Sequence, residues 1–397
     1  MTSSHHLDLA RKVLDSFRIE LPSWGFSNTG TRFGKFIQPS AATTTAEKIA
    51  DAGVVHRLTG CCPSVAVHAL WDFPNGAADA PAVLQAAERH QVRIGAINPN
   101  VFEDQCYKNG SLGNPDTNVR EKALSHIFDC IEIQRATGSR DLSLWFADGI
   151  SYPGSGSIRA RKQWFTDGLK TIHAALNGEQ RMLIEYKPFE PAFYATDIAD
   201  WGMSWIFCKH CGPRAKVLVD TGHHYQTQNV EQIVAWLLSE DMLGGFHFND
   251  RRYADDDLTL GCMDPYQVFR IFHEICYFTW ERGHAPDIAY VVDQSHNLKN
   301  KIEEMIQTAA NAQELFLKAA IVDHETLASS QAKGEIVDAE ECLREAFFTD
   351  VRPIIRAWRE SKGLAADPLA AFRESGYLDE ITKQRAERNK GSVSSYA

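Results

Sequence analysis

Arg181-Met-Leu-Ile-Glu-Tyr-Lys187, Ala215-Lys-Val-Leu-Val-Asp-Thr221 and Leu243-Gly-Gly-Phe-His-Phe-Asn249 are short, largely apolar runs that each end in a polar residue. Alternation would mark a half-exposed strand, whereas an unbroken apolar run marks a parallel strand covered on both faces. Working outward, five further runs of this kind are Arg18–Phe26, Ser64–Asp72, Gln91–Asn98, Asp141–Asp148 and Ile288–Ser295. Helix-length stretches lie between the runs, among them Glu121–Thr137, Ile158–Leu176, Val230–Leu243 and Pro265–Arg282. Strand and helix alternating eight times predict an α/β fold, a (β/α)8 TIM barrel with a short N-terminal helix over 1–300. Ile302–Val322 and Glu340–Lys362 read as helices with no further strand, which predicts a C-terminal helical extension over 301–380. The segment 381–397, charged and then Ser-rich, reads as a flexible tail.

The composition narrows the partners. The chain has 397 residues, 44% hydrophobic and 23% charged, as a globular protein does. Its net charge of -11 argues against a nucleic-acid binder, whose affinity comes from clustered Lys and Arg. No stretch reaches the roughly 18 uncharged apolar residues of a membrane span. Met1–Arg18 has no apolar core of the kind a signal peptide carries. Nine cysteines, an odd count, are therefore expected as reduced thiols of a cytoplasmic protein. Cys208-Lys-His-Cys211 stands without a second pair and is read as structural thiols, as is Cys61-Cys62. His273-Glu274 has no second His at zinc-protease spacing.

A barrel places its chemistry at the C-terminal strand ends. There the fifth strand carries Glu185 and Lys187, the sixth Asp220 with His223 beyond it, the seventh His247 and the eighth Asp293. Four neighbouring strands thus aim oxygen or nitrogen donors into one mouth, a hard donor set suited to Mn2+, Mg2+ or Co2+. Asp255 and Asp257, in the loop after the seventh strand, face one point if that loop is extended, and with His223 form a second site. Singly, each part has a plainer reading: a solvated Asp turn, a core histidine between two Phe residues, aromatics packed in a core. Their coincidence on consecutive strands is what points to metal.

The segments Glu185-Tyr-Lys-Pro-Phe-Glu-Pro-Ala-Phe-Tyr194, Val219-Asp-Thr-Gly-His-His224, Gly244-Gly-Phe-His-Phe-Asn-Asp250 and Asp293-Gln-Ser-His-Asn297 resemble L-rhamnose isomerases. The likeness is to the broad-specificity bacterial branch, within the xylose isomerase-like barrels. It also takes in Leu21-Pro-Ser-Trp-Gly25, Thr29-Gly-Thr-Arg-Phe33, Val67-His-Ala-Leu-Trp-Asp72 and Leu144-Trp-Phe-Ala-Asp-Gly149. The resemblance implies two divalent ions per subunit, Mn2+ first, with Mg2+, Co2+ or Zn2+ as alternatives. Glu185, Asp220, His247 and Asp293 would hold one ion, and His223, Asp255 and Asp257 the other. His68, Trp71, Trp145, Lys187 and Ser295 would line a sugar pocket, and Phe33 would reach a neighbouring subunit's site in a homotetramer. The lead-in and the loop from Gln38 to Glu47 depart from the family pattern, which bears on substrate choice and capping.

The implied reaction is aldose–ketose isomerisation of an open-chain sugar, L-rhamnose to L-rhamnulose, by a metal-assisted hydride shift. Lys187, His223 and Asp293 would be its catalytic side chains: Lys187 at O1, His223 through the second ion, and Asp293 as ligand and proton relay. A sugar epimerase is the first rival. A two-metal phosphoesterase or nuclease is the second, opposed by the acidic charge and by the absence of an evident bridging carboxylate. A non-catalytic barrel would be expected to have lost ligands, and the seven positions are all intact.

Overall fold

The computed structural model describes residues 4–28, 36–150, 152–190, 194–294 and 298–390. Eight parallel strands form one sheet in sequence order. They are β1 (Leu21–Pro22), β2 (Ser64–His68), β3 (Arg93–Asn98), β4 (Asp141–Leu144), β5 (Arg181–Glu185), β6 (Ala215–Asp220), β7 (Leu243–Phe248) and β8 (Ala289–Val292). Glu20 closes the ring: its N–H donates to Tyr290 O at 2.8 Å and its carbonyl accepts from Val292 N at 2.9 Å. Every expected strand is present in a nearly closed barrel, with one two-stranded hairpin added at Phe189–Glu190 and Tyr194–Ala195. β1 is far shorter than its apolar run, because Pro22 leads into a 3-10 turn over Ser23–Phe26 that carries Trp24 to the mouth.

The intervening helices start and stop where local chemistry dictates. In helix Pro265–Arg282 the Asp264 side chain accepts from Gln267 N, and Gly283, at φ 73°, takes the left-handed conformation that ends it. Among the described residues no helix is long and apolar enough to cross a membrane. The C-terminal helices pack on the barrel: Ala346, Phe372 and Ile381 share a buried cluster with Val65, Val217 and Phe246.

Two expectations about this extension change. Glu340–Lys362 is not one helix but two, Ile336–Phe348 and Arg352–Ser361. Pro353 is the reason, since it has no N–H for a continuing ladder and fits the first turn of a new helix. The loose tail expected from residue 381 does not begin there either, because helix Tyr377–Asn389 runs through it. Arg385 is buried in an ion pair with Asp51 at 2.7 Å, and Asn389 Nδ2 donates to the carbonyls of Pro39 and Ala41 at 3.0 Å. Charges that look solvated in sequence are here anchored to helix Thr45–Thr59 and the loop before it.

Near the N-terminal end of the barrel, Ala96 N donates to Glu20 Oε1 at 2.8 Å, and a Cβ on Gly95 would collide with that carboxylate. Gly95→Ala is expected to cost about 1–3 kcal/mol and lower Tm by several degrees. Adding Glu20→Ala should recover most of that loss, and a strictly additive double mutant in thermal melts would remove the steric account.

Candidate metal and sugar site

Register places the donors. Asp220 pairs with His247 across β6 and β7, and His247 with Val291 across β7 and β8, two residues before Asp293. Glu185 ends β5. The four therefore surround one point at the mouth of the barrel. Their ligand atoms lie within 4.8 Å of one another, with Glu185, Asp220 and His247 buried and Asp293 half-buried. His247 Nδ1 is 3.3 Å from Glu185 Oε2 and 3.5 Å from Asp293 Oδ2.

A second group meets the same 4.8 Å criterion: Asp220, His223 and Asp255. His223 Nδ1 lies 3.0 Å from the Tyr186 carbonyl and 3.2 Å from Glu185 Oε1, both acceptors, so Nδ1 carries the proton and Nε2 is turned to Asp255 and Asp220. His223 Nε2 is 3.4 Å from Asp255 Oδ2 and 3.8 Å from Asp220 Oδ2. Asp257 is not a member of this group. Its loop is not extended but pinched shut, Asp250 and Leu258 exchanging two hydrogen bonds of 2.8 Å. Asp256 turns back to accept from Arg252 N and Tyr253 N, and Asp257 sits at φ 50°. Asp220 belongs to both groups, so a shared carboxylate exists where the sequence showed none.

The electrostatics follow from crowding. Burial pushes the Asp220 carboxyl up to about 7, with Asp255, Glu185 and Asp293 adding to the shift and His223 opposing it. Burial raises Asp293 as well. Burial would raise Glu185 too, yet the His247 and His223 imidazoles hold it well below the usual carboxylate range. Burial alone would depress His247, but Glu185 and Asp293 bring it to about 9, and Asp220 and Asp255 likewise hold His223 well above its ordinary value. Buried carboxylates this close demand positive charge. Among the described residues Asp220 Oδ2 and His247 Nδ1 have no well-aligned hydrogen-bond partner, so the donor set fits divalent cations.

Supporting groups hold the donors still. Trp24 Nε1 donates to Asp293 Oδ1 at 2.9 Å. Asn249 Nδ2 and Gly222 N donate to Asp220 Oδ1 at 3.0 and 2.6 Å. Gly222 is required by space, because a Cβ there would stand 2.6 Å from Asn249 Oδ1. Asn249 went unread in the sequence although its place two residues after His247, on the same side of the strand, was a usable signal.

Opposite the carboxylates stands an aromatic wall. His68 lies 4.8 Å from Trp24 and 4.1 Å from Trp71 between ring centroids, and Phe102 spans Trp71 and Trp145 at 6.4 and 5.1 Å. Phe102 lies in the loop after β3, and no sequence pattern marked it. Burial lowers His68 to about 3, so its imidazole is neutral. Among the described residues, His68 Nδ1 and Trp145 Nε1 are buried without partners. Lys187 Nζ stands 5.4 Å over the Trp145 ring and 2.8 Å from Asp255 Oδ2, on the second group rather than isolated in the pocket. Phe33 and Ser295 lie outside the described residues.

Polar donors on consecutive strand ends, faced by aromatic rings, form a mouth that could hold a divalent cation beside an apolar wall. The xylose isomerase-like TIM barrel family model matches residues 63–303. A probable sugar isomerase of Rhizobium meliloti is 36% identical over 96% of this chain and 89% of its own length. A probable sugar isomerase of Mesorhizobium japonicum is 36% identical over 97% of this chain and 90% of its own. The chain belongs to the xylose isomerase-like TIM barrels and to the sugar isomerase family of these relatives. Solved structures share the fold: an E. coli 3-keto-D-glucoside 4-epimerase (TM-score 0.53, 12% identity, 74% of this chain and 98% of that one). A D-psicose 3-epimerase does so as well (TM-score 0.51, 14% identity, 80% and 99%).

Asp220→Asn should weaken Mn2+ binding at both groups by at least about 100-fold in calorimetric titration, whereas Asp257→Asn should change it little. An equal loss in Asp257→Asn would make Asp257 a ligand.

Proposed function

We propose that the protein is a metal-dependent aldose–ketose isomerase acting on open-chain L-rhamnose to give L-rhamnulose. The observation that carries the reading is the pairing of two donor groups that share Asp220 with polar atoms on His68 and Trp145 that have no partner among the described residues. Glu185, Asp220, His247 and Asp293 would hold one divalent ion, and His223 and Asp255, with Asp220 shared, a second; Mn2+ is the first choice. Bound cations supply Lewis-acid polarisation of the sugar's oxygens.

The chain's own residues do the rest. Trp145 Nε1 and His68 Nδ1 are available to sugar hydroxyls, and the rings of Trp71, Phe102 and Trp145 exclude water and pack on C–H faces. The Lys187 ammonium is placed to stabilise charge developing on O1. Trp24 fixes the orientation of Asp293 by its hydrogen bond. In the reaction the C2 hydrogen moves with its electron pair to C1, O2 loses a proton and O1 gains one, so the atoms balance. The homotetramer implied by the resemblance is part of this reading.

Incubation with L-rhamnose and Mn2+ should yield L-rhamnulose by NMR, a chelator should stop it, and Glu185→Gln should lower kcat/KM by more than about 1,000-fold. In D2O the hydride route leaves C1 of the product without deuterium, whereas an enediol route washes the label in. Interconversion of ketoses at C3 with no aldose turnover would instead identify an epimerase.

A further inference from the structure

A second charged cavity lies away from the barrel mouth, of 180 Å3, between helices Lys301–Ala320, Arg352–Ser361 and Pro368–Glu374. Arg352, Arg356 and Arg359 all line it, at helical spacings of four and three that set them on one face. Arg359 is only 5% exposed. Its Nη2 donates to Gln313 Oε1 at 2.6 Å and its Nη1 reaches the Ala366 carbonyl at 3.4 Å, while Nε has no partner. Among the described residues no carboxylate pairs with it. A buried guanidinium hydrogen-bonded only to neutral groups is costly, because no opposite charge touches it directly to offset desolvation.

The neighbours sharpen this. Arg356 makes no ion pair among the described residues, and Arg352 is held by Asp350 at 2.7 Å on the exposed rim. Two carboxylates also line the cavity, and both are engaged. Glu314 pairs with Lys318 at 3.0 Å, and Asp367 accepts from Leu369 N and Ala370 N at 3.1 and 3.0 Å. Burial lowers Arg359 from its ordinary value; Cys61 and Asp367 oppose the shift through space, and Arg356 adds to it.

We propose that this cavity is an oxyanion site in which Arg356 and Arg359 bind phosphate, either as the free ion or as the end of a phosphate monoester. Guanidinium groups meet phosphate oxygens through paired N–H donors, a match that a lysine cluster would not make. The occupant gives Arg359 a counter-charge in direct contact, where Asp367 supplies one only through space. It also ties the helix that follows β8 to the two C-terminal helices, so that binding stabilises the extension against the barrel. The proposal does not depend on the sugar reaction.

The test is calorimetric titration of inorganic phosphate, and separately of a hexose 6-phosphate, into the full chain and its variants Arg356→Gln and Glu185→Gln. Saturable phosphate binding that is at least about tenfold weaker in Arg356→Gln and unchanged in Glu185→Gln is expected. Phosphate should raise the melting temperature of the unmodified chain and not that of Arg356→Gln. Binding of the hexose phosphate with the same dependence on Arg356 identifies a monoester site, and binding of inorganic phosphate alone identifies a site for the free ion. Absence of saturable heat, or loss in Glu185→Gln with Arg356→Gln unaffected, overturns the proposal.

Discussion

Four carboxylates and two imidazoles sit within a few ångströms at the barrel mouth, and their mutual charge is the constraint around which the rest is arranged. Such a cluster is unstable by itself: each buried carboxylate raises its neighbours, as Asp220 shows. Positive charge must be supplied, by protons on His223 and His247 or by cations. The surrounding architecture holds the donors in place against that repulsion. Rigid parallel strands fix Glu185, Asp220 and His247, while Trp24 and Asn249 fix the orientation of the carboxylates.

The mouth is divided by chemistry. β5 to β8 contribute the charged half, and β2 to β4 with their loops contribute rings. A small polyol fits such a division because it carries oxygens along one edge and C–H groups along another. Lys187 stands at the boundary, contacting Asp255 on one side and Trp145 on the other. The cavity between the C-terminal helices, lined by three arginines and two carboxylates, lies on elements separate from the mouth.

The first donor group was legible because strand ends obey a simple rule: a polar residue closing an unbroken apolar run in a parallel barrel lies at the C-terminal face. Glu185 and Asp220 satisfy it as the last residues of β5 and β6, Asp293 follows β8 by one residue, and His247 is the last polar residue of β7. The second group was legible only in part. His223 follows Asp220 within a short turn, but the reading of Asp255 with Asp257 assumed an extended loop. The Asp250–Leu258 hydrogen bonds close that loop instead. Asp220 serving both groups depends on the distance between β6 and the β7 loop, which no spacing in sequence encodes. Phe102 and the break before Pro353 show the same divide, the first set by a loop path and the second readable from proline's missing N–H.

By itself, then, the order of amino acids determined the barrel, the face that carries the chemistry and the side chains at the strand ends. Hydrophobic periodicity and strand direction are local properties, and these features follow from them. Tertiary structure alone decided which carboxylate is shared, that Asp255 comes within ligand distance of Asp220 and His223, which ring joins Trp71 to Trp145, and that Arg385 and Asn389 anchor the C-terminal helix. Those outcomes rest on hydrogen bonds and packing between residues far apart in the chain, whose free energies exist only once the fold has brought them together.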